Sequence, residues 1–209
     1  MENRVEIEKA ERSRGDLHGH AGCSGHDEFD RATAVLSAEH RVIERVLAVL
    51  EGLTRTPVEG SLERWRKALD FIRNFADECH HLKEEKILFP ALEEHGIPRD
   101  GGPVGMMLTE HEEGRGYVRG MMAALALAEA KNEAAKGALV DNARAYLRLL
   151  KEHIQKEDEI LFRIADEAIP LAEQRELLRT FEEHEAKEMG AGVHEKYLTI
   201  AEELEASMS

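Results

Sequence analysis

The stretch His80-His81-Leu82-Lys83-Glu84-Glu85-Lys86-Ile87-Leu88-Phe89 decides how this chain is read, because it occurs twice. Its echo is His153-Ile154-Gln155-Lys156-Glu157-Asp158-Glu159-Ile160-Leu161-Phe162, identical at six of the ten positions. Each copy sets a His and a Glu four residues apart, directly before an apolar triplet. On a helix, residues with that spacing share a face, with Cβ atoms roughly 5–6 Å apart. Each copy therefore presents an imidazole beside a carboxylate. Two such faces turned toward each other make a metal site.

The duplication extends outward from these segments. Glu39-His40 lies 40 residues before His80, and Glu110-His111 lies 42 before His153. An apolar pair precedes each, Val35-Leu36 and Met106-Met107. The chain thus reads as two helix pairs in tandem, each contributing a His and then a His-x-x-x-Glu. Apolar residues recur at intervals of three and four and not at two, which predicts an all-α fold. Short connections make neighbouring helices antiparallel, so the expected architecture is an up-down four-helix bundle with an additional C-terminal helix.

The expected domains are a flexible charged and Gly/His-rich head over 1–28, the bundle over 29–168, and a C-terminal helical extension over 169–209. Helix 1 is expected from near Phe29, capped by Asp27 or Asp30, and ended by Thr54 to Gly60. Helix 2 spans about Ser61 to His95, with Pro90 predicting a kink or an early end. Helix 3 starts near Val104. The least marked boundary falls between Lys131 and Lys136, where no strong punctuator occurs. Helix 4 ends before Pro170. Helix 5 runs from Leu171 to Ala206, interrupted near Gly190-Ala191-Gly192.

In this pattern His40, His80, Glu84, His111, His153 and Glu157 occupy positions where an apolar residue is expected. Burying six titratable groups without a partner costs several kcal/mol each. For any single His, a hydrogen-bonded core or surface role is the simpler account. Four His and two Glu in phase on four helices favour a shared metal. Mixed imidazole and carboxylate donors suit iron, zinc or manganese. Cys79 rotates off the ligand face. Six donors are too many for one ion that keeps an open position, and suit two ions about 3.5–4 Å apart with bridging carboxylates.

Composition narrows the function classes. The 209 residues carry a net charge of −15, which argues against nucleic acid and against anionic membrane surfaces. Plain solubility accounts for the acidity; attraction of metal cations is the functional alternative. The two cysteines, Cys23 and Cys79, make neither a disulfide framework nor a zinc pattern. The N-terminal residues do not read as a secretory signal, and no apolar run of about 18 residues predicts a membrane span. A cytoplasmic protein, monomer or homodimer, is expected.

The pattern resembles the hemerythrin-like (HHE cation-binding) domain family. The residues that carry it are Glu39-His40, His80-His81-x-x-Glu84-Glu85-x-x-Leu88-Phe89-Pro90, Glu110-His111 and His153-x-x-x-Glu157, over about 30–168. Residues 96–116 are similar to a bacterial subgroup. The resemblance implies an antiparallel bundle around a non-haem site, usually two iron ions with an oxo or hydroxo bridge. Glu84 and Glu157 would be the bridging carboxylates. His40 and His153 would bind one iron, and His80 and His111 the other.

The chain departs from the O2-carrying members. They place a second His four residues after the helix 3 His, where this chain has Arg115. In helix 4 they use an Asp five residues after the His, while this chain carries both Glu157 and Asp158. The set is more similar to the iron-sensing and nitrosative-stress branches.

Several residues carry two readings. His81 has no counterpart in the echo; it is a partly buried neighbour of the ligands or an additional ligand. Glu39, Glu85, Glu110 and Asp158 read as acids that orient the ligand imidazoles or lie at the surface. Arg115 reads as a salt bridge to nearby acids, or as an offset to site charge. Tyr117 and the Met residues at 106, 107, 121 and 122 read as packing. His184-x-x-x-Glu188 repeats the ligand spacing outside the bundle and reads as surface or cap packing. His18, His20, Cys23 and His26 read as a loop, with metal relay as the alternative.

Function is therefore expected to be binding or sensing of O2, NO, peroxide or iron at this site. The alternatives are a di-iron oxidoreductase, catalase- or peroxidase-like or NO-handling, and an iron-storage or zinc-bound structural bundle.

Overall fold

The computed structural model describes residues 30–190 and 192–208. The Gly/His-rich head, with His18, His20, Cys23 and His26, and the expected helix start at Phe29 lie outside the described residues. Within them the chain forms helices and no strand. They are α1 (Ala32–Leu53), α2 (62–94), α3 (Pro103–Glu129), α4 (133–168), α5 (171–189) and α6 (Val193–Ala206), with a 3-10 turn at Val58–Gly60.

The core divides into two apolar clusters, and their order along each helix gives the topology. α1 runs from the cluster holding Ala32, Val35 and Leu36 to the one holding Ile43, Leu47 and Leu50. α2 runs the opposite way, from Trp65 and Phe75 to Leu88 and Leu92. α3 reverses again, from Met107 to Met121, and α4 returns, from Leu139 to Leu161. Alternating order means antiparallel neighbours, the up-down bundle. On each of these four helices the predicted ligands lie where one cluster gives way to the other.

α2 passes through Pro90 without ending. A proline inside an α-helix lacks the N–H donor and clashes with the carbonyl four residues back. Here a π turn, Glu84–Leu88, precedes it, and the Phe89 N–H bonds Glu84 O. The widened turn reroutes the carbonyls that an α-helix would aim at the ring. The same turn recurs in the echo at Glu157–Leu161, with Phe162 N–H on Glu157 O. No proline follows there, so the turn belongs to the repeated segment and not to Pro90.

α1 is capped from outside its own sequence. Its N-cap, Arg31, makes no side-chain cap bond. The Ala32 N–H instead donates to Oε1 of Gln174, at 3.2 Å, and Gln174 is buried on α5. The expected capping by Asp30 is not made, because tertiary packing supplies the acceptor.

The boundary between α3 and α4 is a Schellman turn: Asn132 N–H bonds Leu127 O and Lys131 N–H bonds Ala128 O. Its left-handed position is held by Lys131, with φ 63°. The glycine that usually marks such a position is absent, and the sequence signal with it.

The methionine pairs split. Met107 and Met121 are buried, whereas Met106 is 47% and Met122 39% exposed. Adjacent residues on a helix point about 100° apart, so only one of each pair reaches the core.

The C-terminal helices dock on the bundle. α5 adds Leu178 and Phe181 to one cluster, and α6 adds Tyr197, Ala201 and Leu204 to the other. Both helices pack against α1 and α2. No helix among the described residues is long and apolar enough to cross a membrane.

Two substitutions test the backbone account. Lys131→Gly is expected to stabilise the fold by about 0.5–1 kcal/mol, by relieving the left-handed residue. Gly105→Ala is expected to destabilise by about 1–3 kcal/mol, because its Cβ would sit 2.2 Å from the carbonyl oxygen of Arg99. Chemical denaturation measures both.

Candidate metal centre

Each ligand imidazole is oriented by a carboxylate from another helix. His40 Nδ1 lies 2.9 Å from Asp158 Oδ1, and His80 Nδ1 lies 2.9 Å from Glu39 Oε2. His111 Nδ1 lies 2.8 Å from Glu85 Oε1, and His153 Nδ1 lies 2.9 Å from Glu110 Oε2. A cation backs each acid: Arg41 on Asp158, Lys83 on Glu39, Arg115 on Glu85 and Lys156 on Glu110. An Nδ1–H donated to a carboxylate leaves the Nε2 lone pair free for a metal, and fixes the ring's orientation.

Those Nε2 atoms meet inside the bundle. His40 Nε2 and His153 Nε2 each lie 3.2 Å from Glu157 Oε2. His80 Nε2 lies 3.7 Å from Glu84 Oε1, and His111 Nε2 lies 3.5 Å from Glu84 Oε2. His111 Nε2 and His153 Nε2 face each other at 3.1 Å. Two bare lone pairs at that distance repel, so a proton or a metal ion must lie between the pair.

Burial makes the vacancy of partners costly. Glu84 and Glu157 are 0% exposed, and none of their four carboxylate oxygens has a hydrogen-bond partner. Nε2 of His40, Nε2 of His80 and Nδ1 of His81 are buried and unpartnered as well. The two apolar clusters flank the layer, and two rings of one cluster lie directly on it. Phe162 stacks on His40 with ring centroids 5.4 Å apart, and Phe89 stacks on His111 at 5.9 Å. A cation is the one partner that satisfies these convergent acceptors together.

The donors form two groups. One is His40, His80, Glu84 and Glu157; the other is His81, Glu84, His111 and His153. Within each group the candidate ligand atoms lie within 4.8 Å of one another. Glu84 belongs to both groups. About the carboxylates themselves, Glu157 Oε2 faces His40 and His153 and Glu84 faces His80 and His111, the pairs that the resemblance implies. His81 enters because α2 runs as a π-helix over Ile72–His81. The wider turn brings two successive residues to the interior, and the His81 ring stacks on His111 at 4.0 Å.

The local charges perturb the donors strongly. Burial and the Glu157 charge hold the Glu84 carboxyl well above the usual carboxylate range. Burial also raises Glu157, but His153, His111 and His40 outweigh it and hold that group well below the range. Burial pushes His80 down to about 4. Burial lowers His153 too, but Glu157 and Glu110 outweigh it and raise it to about 9.

The remaining candidates are not ligands. Arg115 is held by Asp77 and Glu85, with Nη2 at 2.8 Å from each. Tyr117 donates to Glu113 at 2.7 Å. Cys79 is buried, its Sγ 3.6 Å from Glu185 Oε1, and burial pushes its thiol far up. His184 lies on α5 and joins neither donor group.

Residues 31–165 match the hemerythrin HHE cation-binding domain family. The chain belongs to that family. It is 27% identical over 176 residues to an uncharacterized protein of Mycobacterium tuberculosis (strain H37Rv), covering 83% of this chain and 68% of the relative. A Mycobacterium bovis protein matches to the same extent. No solved structure gives a significant match. The family match covers the helices that carry all the donors of the two groups. The His–acid–cation relays of this HHE domain were legible only in part: Lys83 and Lys156 are identical across the repeat, but their acids lie on other helices. Glu185 and His194, beside Glu39 and Lys83, carry no signal in the sequence.

Metal binding is expected to release protons. Without metal, burial and the Glu157 charge favour the protonated form of Glu84, and His153 is raised to about 9, so a metal ion displaces protons as it binds. Apparent affinity should therefore rise with pH until it passes about 9, where His153 loses its proton. Calorimetric titration in buffers of different ionisation enthalpy should show net proton release, and no dependence on buffer would contradict these protonation states.

Proposed function

We propose that this HHE domain is a non-haem di-iron protein that binds or senses O2, NO, peroxide or iron itself. The ligands would be His40, His80, Glu84, His111, His153 and Glu157, with His81 as a further donor. The observation that carries the reading is the set of buried, unpartnered donor atoms converging in one layer. The donors are imidazole and carboxylate without thiolate, a set suited to iron, with zinc and manganese as alternatives. Two ions are favoured over one because Glu84 is shared by two donor groups and Glu157 faces rings from α1, α3 and α4.

Iron in this layer would supply redox chemistry and coordination positions for a small ligand. The chain's own residues prepare for it. Glu39, Glu85, Glu110 and Asp158 hold the imidazoles in the tautomer that presents Nε2 inward. Lys83, Arg115, Lys156 and Arg41 keep those acids ionised and in place. Phe89, Phe162 and the two apolar clusters exclude water, which strengthens each electrostatic interaction inside.

Metal analysis of the aerobically purified protein should return about two iron ions per chain, with near-ultraviolet absorption that depends on them. One zinc ion, or no metal after purification without chelator, would sink the di-iron reading. Glu84→Ala should lose both ions, since the carboxylate serves both donor groups; full retention would refute that role. Added peroxide, with O2 release followed on an electrode, separates a binder from a catalase-like oxidoreductase.

A further inference from the structure

The four His–acid–cation relays are not equivalent. Lys156 is 28% exposed and bonded to Glu110. Its repeat counterpart Lys83 is 0% exposed and bonded to both Glu39 and Glu185. Glu185 comes from α5, in the C-terminal extension. From the next helix, α6, His194 brings Nε2 to 3.5 Å from Glu39 Oε1. Phe181 lies under the Lys83 ammonium, 5.8 Å from ring centroid to Nζ. Glu39 thus receives the buried His80 ring, the buried Lys83 ammonium and the partly exposed His194.

A buried ammonium is sustained only by close counter-charges. Glu39 alone would have to serve both Lys83 and His80. Glu185 takes part of the lysine's demand and fixes where the ammonium stands. The relay on His153 has no such second acid from the C-terminal helices, and its lysine is partly exposed. The burial is particular to the His80 relay, since the His40 relay through Asp158 and Arg41 is also exposed. His80 belongs to the group with His40, and His153 to the group with His81 and His111.

We infer that Glu185 and His194 are positioning residues for the metal centre. Through Lys83 and Glu39 they lock the His80 ring, so that the ion held by His40 and His80 leaves more slowly than the ion held by His81, His111 and His153. The inference rests on the two-ion reading above. It assigns the C-terminal extension a part in metal retention, beyond covering the bundle.

The test is chelator-driven release of iron(II) from the full-length, iron-loaded protein under anaerobic conditions. The wild type should lose its iron in two phases. Glu185→Gln should accelerate the slow phase by about 10-fold or more, the usual scale for loss of a group that orients a ligand. It should leave the fast phase unchanged. Lys156→Met should accelerate only the fast phase. A merely structural role for Glu185 would lower the melting temperature of the metal-free protein and speed both phases alike, which overturns the inference; an unchanged slow phase overturns it too. If Glu185→Gln does not fold, His194→Gln carries the test, with a smaller acceleration confined to the slow phase. A wild type that holds fewer than two ions fails the two-ion reading itself, and this inference falls with it. Two ions with an unaffected slow phase fail this inference alone.

Discussion

Burying ionisable groups without neutralising them is the constraint on which this structure depends. Between two apolar clusters lies a buried layer of imidazoles and carboxylates with too few hydrogen-bond partners. Burying an ion costs several kcal/mol even after relaxation. The layer persists because its outer edge is neutralised by acids and those acids by Arg and Lys. The inner edge is left for a cation. A fold stabilised only by apolar packing would have no use for this arrangement. The up-down bundle is the frame that lets four helices each deliver one polar step at the same height.

Local helix geometry sets which atoms arrive there. The π turns beginning at Glu84 and Glu157 are shared by both copies of the repeat and sit just after the His-x-x-x-Glu spacing. The longer π segment before them, Ile72–His81, occurs in α2 and turns His81 inward beside His80. The repeat is therefore symmetric in its ligands and asymmetric in its surroundings. The C-terminal helices deepen that asymmetry by covering the His80 relay and leaving the His153 relay near solvent.

Much of the architecture was legible because it rests on periodicity. The apolar stripes of α1 and α2 fall where the spacing puts them, and the six in-phase His and Glu residues all come to the interior. What was not legible depends on contacts between distant segments or on unusual local geometry. Gln174 caps α1 from another helix, Lys131 occupies a left-handed position that glycine normally announces, and Pro90 is tolerated by a π turn that has no compositional signature. The acids beside the ligands were visible as candidates, but which imidazole each one serves was not.

The amino-acid sequence by itself determined the helices, the duplicated ligand segments and the residues that must share one buried layer, because these follow from spacing along a single helix. Only the tertiary structure decided how the donors divide into two groups, that His81 joins one of them, and that Glu185 and His194 reach the Glu39–Lys83 pair. These outcomes depend on the rotation and height of one helix against another. Distances of a few ångströms across the bundle are set by packing, and no interval in the chain records them.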